Sequence, residues 1–301
     1  MLKCRSMVGI RHIGWTVRSV CVWVMIALSG YAQTNPTPVQ LARESALGTN
    51  SLAEIASADA SRFFEKYREA TRLVAQGQLQ NAAITLDLLS RSLRVSPWLD
   101  IALLKHAQLN ERTNDRAAEE NYALLRQRLV NAPYFQSNAE RAQFFGVALR
   151  NTVDSGIDRI RLHRLRAAIN RYHSRYAEYP ESLAKLAILG YTDMENIHNV
   201  NNHLFRYLPQ EPRMNPFITY RRFELESIDS EPFTADRPVL VATSQASEKP
   251  LRYSALVRVP GELEPARVVE NQTVQGFFVV SVAHDGAIFS APNRIIVVAA
   301  P

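Results

Sequence analysis

The chain has 301 residues, with 35 Lys and Arg against 29 Asp and Glu, a length sufficient for one or two hydrophobic cores. Four of the basic residues, Lys3, Arg5, Arg11 and Arg18, lie in the first eighteen positions with no acid among them, so the rest carries a net charge of only +2 and gives no reason to expect a nucleic-acid partner. Both cysteines, Cys4 and Cys21, also lie in this opening segment, which excludes disulfides and thiol chemistry from the remainder.

After the basic stretch, Val20 to Leu28 run apolar, and Gly30 and Ala32 put small residues at the minus-three and minus-one places of a cut after Ala32. This order predicts a signal peptide over 1–32 and a periplasmic or secreted protein. A retained membrane anchor is the competing reading, but a spanning helix needs about 20 apolar residues, and Gln33, Thr34, Asn35 and Pro36 end this run. Stable membrane insertion after cleavage is not expected. Residues 33–52, rich in Thr, Asn, Pro and Ser, read as a flexible leader.

Residues 53–153 are expected to be a helical domain. Phe63, Phe64, Tyr67, Leu73 and Val74 mark one helix face, and Gly77 is placed to end that helix in a left-handed conformation. Ala82, Leu86, Leu89 and Leu93 mark a second helix, stopped near Ser96 and Pro97. A third is expected over Ile101 to Glu111, a fourth over Arg116 to Val130, and a fifth over Asn138 to Asn151. The second and fourth repeat each other: Ala82, Leu86 and Leu89 align with Ala118, Tyr122 and Leu125 at an offset of 36 residues. Over about 75 residues the chain here resembles a tetratricopeptide repeat, with Gly77, Ala82 and Leu86 at that family's glycine, small and bulky positions. Thr113 stands where a second glycine would, and Pro97 falls three residues late. The resemblance implies stacked helical hairpins with a concave peptide-binding face. A plain antiparallel bundle is the alternative.

Residues 154–301 read differently. Leu162, Leu165, Ile169, Tyr172 and Tyr176 form one seam of a helix over Asp158 to Tyr176. Arg159, Arg161, Arg164, Arg166, Arg171 and Arg175 occupy the rest, and are expected to be a solvated face rather than a site for an anionic partner. The stretch Asn151 to Gly156 is expected to break the helix and separate the two halves. Tyr179-Pro180 is expected to end the long helix, with a short helix over Glu181 to Leu189. Strands are expected at Leu204 to Leu208, Phe217 to Leu225, Val239 to Thr243, Leu251 to Val259, Ala266 to Val269, Gly276 to Val282 and Ile295 to Ala299, with Asp285-Gly286 as a turn. The run Arg175 to Leu186, and Phe277 to Gly286 with its Asp-Gly turn, resemble the C-terminal region of type II secretion pseudopilins over about 130 residues. That resemblance implies the fold: a long helix packed on an antiparallel sheet. It does not imply a filament subunit, because Ser19 stands where a subunit has its glutamate and no acid follows Asp285.

No motif assigns a reaction. Gly-x-Ser-x-Gly, a phosphate loop and Gly-x-Gly-x-x-Gly are all absent from the sequence. His198 and His203 share the stretch Asn196 to Asn202, with only Asp193 and Glu195 nearby as further ligands, a poor set for a metal. Ser281, His284 and Asp285 are sequence neighbours, whereas a triad is assembled across a fold. Asn271-Gln272-Thr273 fits a glycan acceptor. No catalytic, cofactor-binding or metal-binding residue is assigned. The expected protein is α+β: a repeat-like helical stack, then a long helix on an antiparallel sheet. Its expected function is that of a non-catalytic, exported binding or scaffold protein of a bacterial envelope, with a protein or peptide partner and an association with a secretion or pilus-like system. The alternative is an exported hydrolase with its site around His198 to Pro216.

Overall fold

The computed structural model describes residues 49–94, 97–130, 139–209, 223–227, 237–248 and 251–300. The expected signal peptide, the leader up to residue 48 and the loop 210–216 lie outside the described residues. The chain is α+β, with helices first and antiparallel sheets after them.

Helix α1 (Thr49–Ala75) ends as its glycine predicted. Gly77 takes φ +76°, its N–H bonds Val74 O at 3.0 Å, and Gln78 N–H bonds Leu73 O at 2.9 Å, so two orphan carbonyls are satisfied. Helices α2 (Leu79–Ser92), α3 (Trp98–Asn110) and α4 (Asp115–Val130) follow as an antiparallel stack, each against the one before. Ala82, Leu86 and Leu89 on α2 are buried, and so are Ala118, Tyr122 and Leu125 at the 36-residue offset on α4. Two buried carboxylates fasten the stack. Asp59 of α1, 2% exposed, accepts the N–H of Arg94 beyond α2 at 2.8 Å. Asp100 of α3, 1% exposed, accepts Arg128 Nε of α4 at 2.9 Å.

The helix break expected at 151–156 is absent. A short turn (Ala139–Arg141) and a π-helical turn (Ala142–Gly146) lead straight into α5 (Val147–Tyr176), a helix of 30 residues that passes through the expected boundary at 153/154. Packing overrides propensity here. Thr152 Oγ1 donates back to Ala148 O at 2.7 Å, Val153 and Ile157 are buried, and Gly156 lies where α5 crosses α4. A Cβ at Gly156 would stand 2.3 Å from Tyr122 Cζ. A glycine inside a helix costs about 1 kcal/mol, but burying an aromatic the size of Tyr122 is worth about 1.5–3 kcal/mol, so the close crossing wins.

The helix ends at the expected Tyr176, but not by the expected Tyr179-Pro180 step. It stops at Tyr176, three residues before Tyr179, because Ala177 adopts a left-handed conformation at φ 58° and its N–H caps His173 O at 2.8 Å. Helix α6 (Leu183–Ile188) then starts on Ser182, whose Oγ accepts the Lys185 N–H, and a 3-10 turn follows (Met194–Ile197).

Among the described residues the strands form three antiparallel sheets: β1 (Arg206–Pro209) with β2 (Phe223–Glu226); β3 (Val239–Glu248), β4 (Leu251–Arg258) and β5 (Ala266–Val268); and β6 (Thr273–Val274), β7 (Phe277–Ala283), β8 (Gly286–Ala291) and β9 (Arg294–Ala299). Strand β8 was not expected from sequence. The β7–β8 turn residues are His284 and Asp285, and Gly286 already belongs to β8, paired with Ala283. A Cβ on Gly286 would meet Phe64 of α1 at 2.4 Å, so this corner sits directly on the helical stack.

The β6–β9 sheet is a middle layer. Phe278, Val280, Ala283, Ile288 and Ile295 join the helical core with Phe63, Phe64, Trp98 and Leu104. Phe277, Val279, Val282, Ala287, Phe289 and Ile296 face the opposite way, onto Leu240, Ala255, Val257 and Val268 of the second sheet. Burial on both sides explains why β7 reads as an unbroken apolar run. A third core takes the long helix's seam: Leu165, Ile169 and Tyr172 pack with Leu183, Leu186, Ile197, Phe205 and Leu225. The seam is thus covered by α6, the 3-10 turn and the small β1–β2 sheet, while the first half of α5 runs against β8 and β9. Among the described residues, no helix is long and apolar enough to cross a membrane.

Two expectations follow. Gly156→Ala should lower stability by about 1–3 kcal/mol through overpacking. Combined with Tyr122→Leu it should cost less than the sum of the two single changes, measured by denaturant melts. An alanine variant as stable as the parent would show that α4 and α5 do not meet at this point. The second concerns Lys105 of α3, whose Nζ donates to Ile295 O of β9 and to Gln108 Oε1, each at 3.2 Å. Burial, with the nearby Arg237, lowers its pKa to about 8. The folded state therefore disfavours the charged amine, and its penalty is present below pH 8 and relieved as pH rises toward 10.5. Lys105→Met should gain stability relative to the parent at pH 7 and lose that advantage at pH 10.5, in paired urea melts.

Candidate functional site

The polar face of α5 sets the site. Its arginines are not a free solvated row. Arg159 grips Glu111 with both Nε and Nη2, at 2.8 and 2.7 Å, and the buried Tyr122 hydroxyl donates to the same carboxylate. Arg164 pairs with Glu119 at 2.8 Å, Asp154 with Arg126 at 3.3 Å, and His163 Nδ1 with Asp115 at 2.8 Å. Glu111, Asp115 and Glu119 recur every four residues and present one acidic edge to α5. The helix thus finds its anionic partner inside the chain.

Further along α5 the same face holds the segment after α6. Gly190 takes φ +73° and turns the chain so that Tyr191 N–H bonds back to Leu186 O at 2.9 Å. Arg171 donates to Tyr191 O at 2.9 Å. Arg161 donates to His198 O at 3.0 Å and to the Glu195 carboxylate. Asp158 accepts Val200 N–H at 2.9 Å and Ser227 Oγ at 3.3 Å, and burial pushes its carboxyl above the usual range.

Between α4, α5 and this segment lies a half-open cleft of about 250 Å³. Asp115, Arg164, Arg171 and Asp193 contribute the charged groups of its lining; His163, Thr192 and Asn196 contribute further polar ones, with Tyr191 and Ala167 as walls. Asn196 is only 8% exposed.

The residues singled out from sequence lie elsewhere. His198 Nδ1 faces Met194 O at 3.1 Å rather than a carboxylate, and its backbone pairs with Leu204. The asparagine-rich stretch is a turn built on Asn199, whose buried Oδ1 accepts the N–H of Asn201 at 3.0 Å and of His203 at 2.8 Å. Ser281 donates to Glu270, which also accepts the Val282 N–H at 3.1 Å and so supports a β-bulge, while His284 and Asp285 pair with each other at 3.1 Å in the exposed turn. Ser281, His284 and Asp285 are therefore not assembled as a triad. Among the described residues, no three His, Cys, Asp or Glu groups are placed to hold a metal. The cleft itself was missed. Its one sequence signal was the Gly190-Tyr191 cap, which aims the next residues back at the arginine helix.

Tyr179 and Pro180 lie against the third core, away from the cleft lining. The Tyr179 ring stacks on His173 at 4.3 Å and tilts against Phe223 at 5.6 Å, and Pro180 O accepts the Tyr207 hydroxyl at 2.9 Å. Because Tyr179 is half-buried, Tyr179→Ala should cost about 2 kcal/mol rather than the ~3–5 kcal/mol of a fully enclosed ring. Ala177→Gly should add about 1 kcal/mol by removing a left-handed alanine. Thermal melts of the full chain check both; a neutral Tyr179→Ala would remove the ring from the core.

Compared with known protein families, with curated proteins and with solved structures, the chain matches none.

Proposed function

We propose that this chain is an exported, non-catalytic binding or scaffold protein of a bacterial envelope, with a protein or peptide partner and a setting in a secretion or pilus-like system. The observation that carries the reading is the state of the titratable groups around the cleft. His163 is taken by Asp115 and Arg164 by Glu119, each pair joining α4 to α5. Groups used in this way hold helices together; they do not converge with a nucleophile on one reacting atom. The antiparallel helical stack, with buried positions that recur at 36 residues, supports a surface for binding. Export rests on the basic, apolar and small-residue order of residues 1–32.

Two measurements test the reading. The envelope form should begin at Gln33 on N-terminal sequencing; retention of Met1 in a membrane fraction would overturn export. The purified protein should turn over no ester, amide, phosphoester or glycoside substrate. Hydrolysis that disappears in His198→Ala or His203→Ala would establish the hydrolase instead.

A further inference from the structure

Two charges in the cleft have no ionic partner. Among the described residues, Arg171 gives one N–H to the Tyr191 carbonyl and makes no ion pair, and the Asp193 carboxylate makes none either. No ion pair joins them to each other. The neighbouring Arg164 is paired with Glu119, and Asp115 is bonded to His163 Nδ1. One cation and one anion, both partly in solvent, therefore line the same small space without pairing.

The third observation is Asn196. It is 8% exposed, its backbone N–H bonds Asp193 O at 3.1 Å, and its side-chain amide makes no hydrogen bond among the described residues. A side-chain amide that is not sealed from solvent stays open to a ligand. This one lines the cleft, where a bound molecule can both donate to it and accept from it. The Thr192 hydroxyl is likewise unengaged on the same wall.

Size and charge then select the ligand. A volume of about 250 Å³ lies below the ~300–1,000 Å³ of ordinary small-molecule pockets, which excludes a nucleotide or a large cofactor. A simple anion would meet Asp193, and a simple cation would meet Arg171. A neutral polyol would leave both charges without a counter-charge. We propose that this cleft binds a small zwitterion, a free α-amino acid or a dipeptide, with its carboxylate on Arg171, its ammonium on Asp193 and its polar backbone atoms on Asn196 and Thr192. This small-molecule site is separate from the surface a protein partner would use, so its loss would leave the proposed scaffold role standing.

The test is a titration of the purified, 15N-labelled exported protein, followed by NMR. The proteinogenic amino acids and glycylglycine are added one at a time; N-acetylglycinamide, which has the same backbone groups without charge, and glucose are added separately. At least one zwitterion should shift the backbone amides of Tyr191 to Ile197 and the side-chain amide of Asn196. Arg171→Met and Asp193→Asn should each weaken that binding about tenfold, as loss of one charge-assisted contact implies. Asp193→Asn is the stricter variant, because its carboxylate supports nothing in the fold, and its melting temperature should match the parent's. The proposal is overturned if no zwitterion moves these resonances, if N-acetylglycinamide or glucose moves them as strongly, or if Asp193→Asn binds as well as the parent.

Discussion

The structure depends on the crossing of α4 and α5, where Tyr122 occupies the space a side chain at position 156 would fill. Because position 156 is glycine, the two helices come close enough to bury the Tyr122 ring completely. Its hydroxyl is then out of water and must be bonded, and Glu111 meets that demand. Glu111 in turn needs a counter-charge, which Arg159 supplies from the turn of α5 after Gly156. One close contact thus dictates a polar network beside it that runs from the buried Tyr122 hydroxyl out to the half-exposed Arg159. That network holds α5 straight through a stretch whose residues, taken alone, favour a break.

The unbroken α5 is what makes three cores one object. Its first half shares the core of the helical stack and runs along β8 and β9. Its second half carries the seam that α6, the 3-10 turn and β1–β2 cover. A break at 151–156 would leave two lobes joined by a linker, with the middle sheet bridging them alone. With the helix intact, tilting the second half would move Leu165, Ile169 and Tyr172 out of close packing, and each buried side chain of this size resists that by about 1.5–3 kcal/mol.

Much of the fold was legible because its signals are local or periodic. Gly77 ended α1, Ala82 to Leu93 and Ala118 to Leu129 gave two helix faces, and most strands fell where apolar runs lie between prolines. What was not legible depended on distant residues. The helicity of Asn151 to Gly156 is imposed by Tyr122, about thirty residues earlier. The end of α5 at Tyr176 was legible from its seam, but its cause was not: a left-handed Ala177, a conformation alanine seldom adopts, in place of the Tyr179-Pro180 step. Strand β8 was hidden because Asp285-Gly286 spells a turn, whereas Gly286 is there to admit Phe64. The cleft was illegible for the same reason. Arg159, Arg161, Arg164 and Arg171 look alike along the helix, and only the fold shows that Glu111, Glu195 and Glu119 take three of them and none takes Arg171.

That asymmetry among similar arginines also bears on how the cleft could act. Its α5 wall is fixed by packing on one side and by ion pairs to α4 on the other. Its opposite wall is a short segment tied to the helix at separate points: Arg171 to the Tyr191 carbonyl, Arg161 to Glu195 and the His198 carbonyl, and Asp158 to the Val200 N–H. Asn199 closes the far end by holding two backbone N–H groups with one oxygen. The segment therefore has little freedom left to lose when something binds between the walls, and ordering cost is the main tax on a small ligand's affinity. A polar cleft of this kind binds weakly if its groups are already satisfied and more tightly if they are held in place but unsatisfied. Asp193 and Asn196 keep side-chain hydrogen-bonding capacity on the tied segment, and Arg171 keeps N–H donors on the facing helix beyond the one it gives Tyr191 O, so the open groups sit on two walls that the rest of the fold joins.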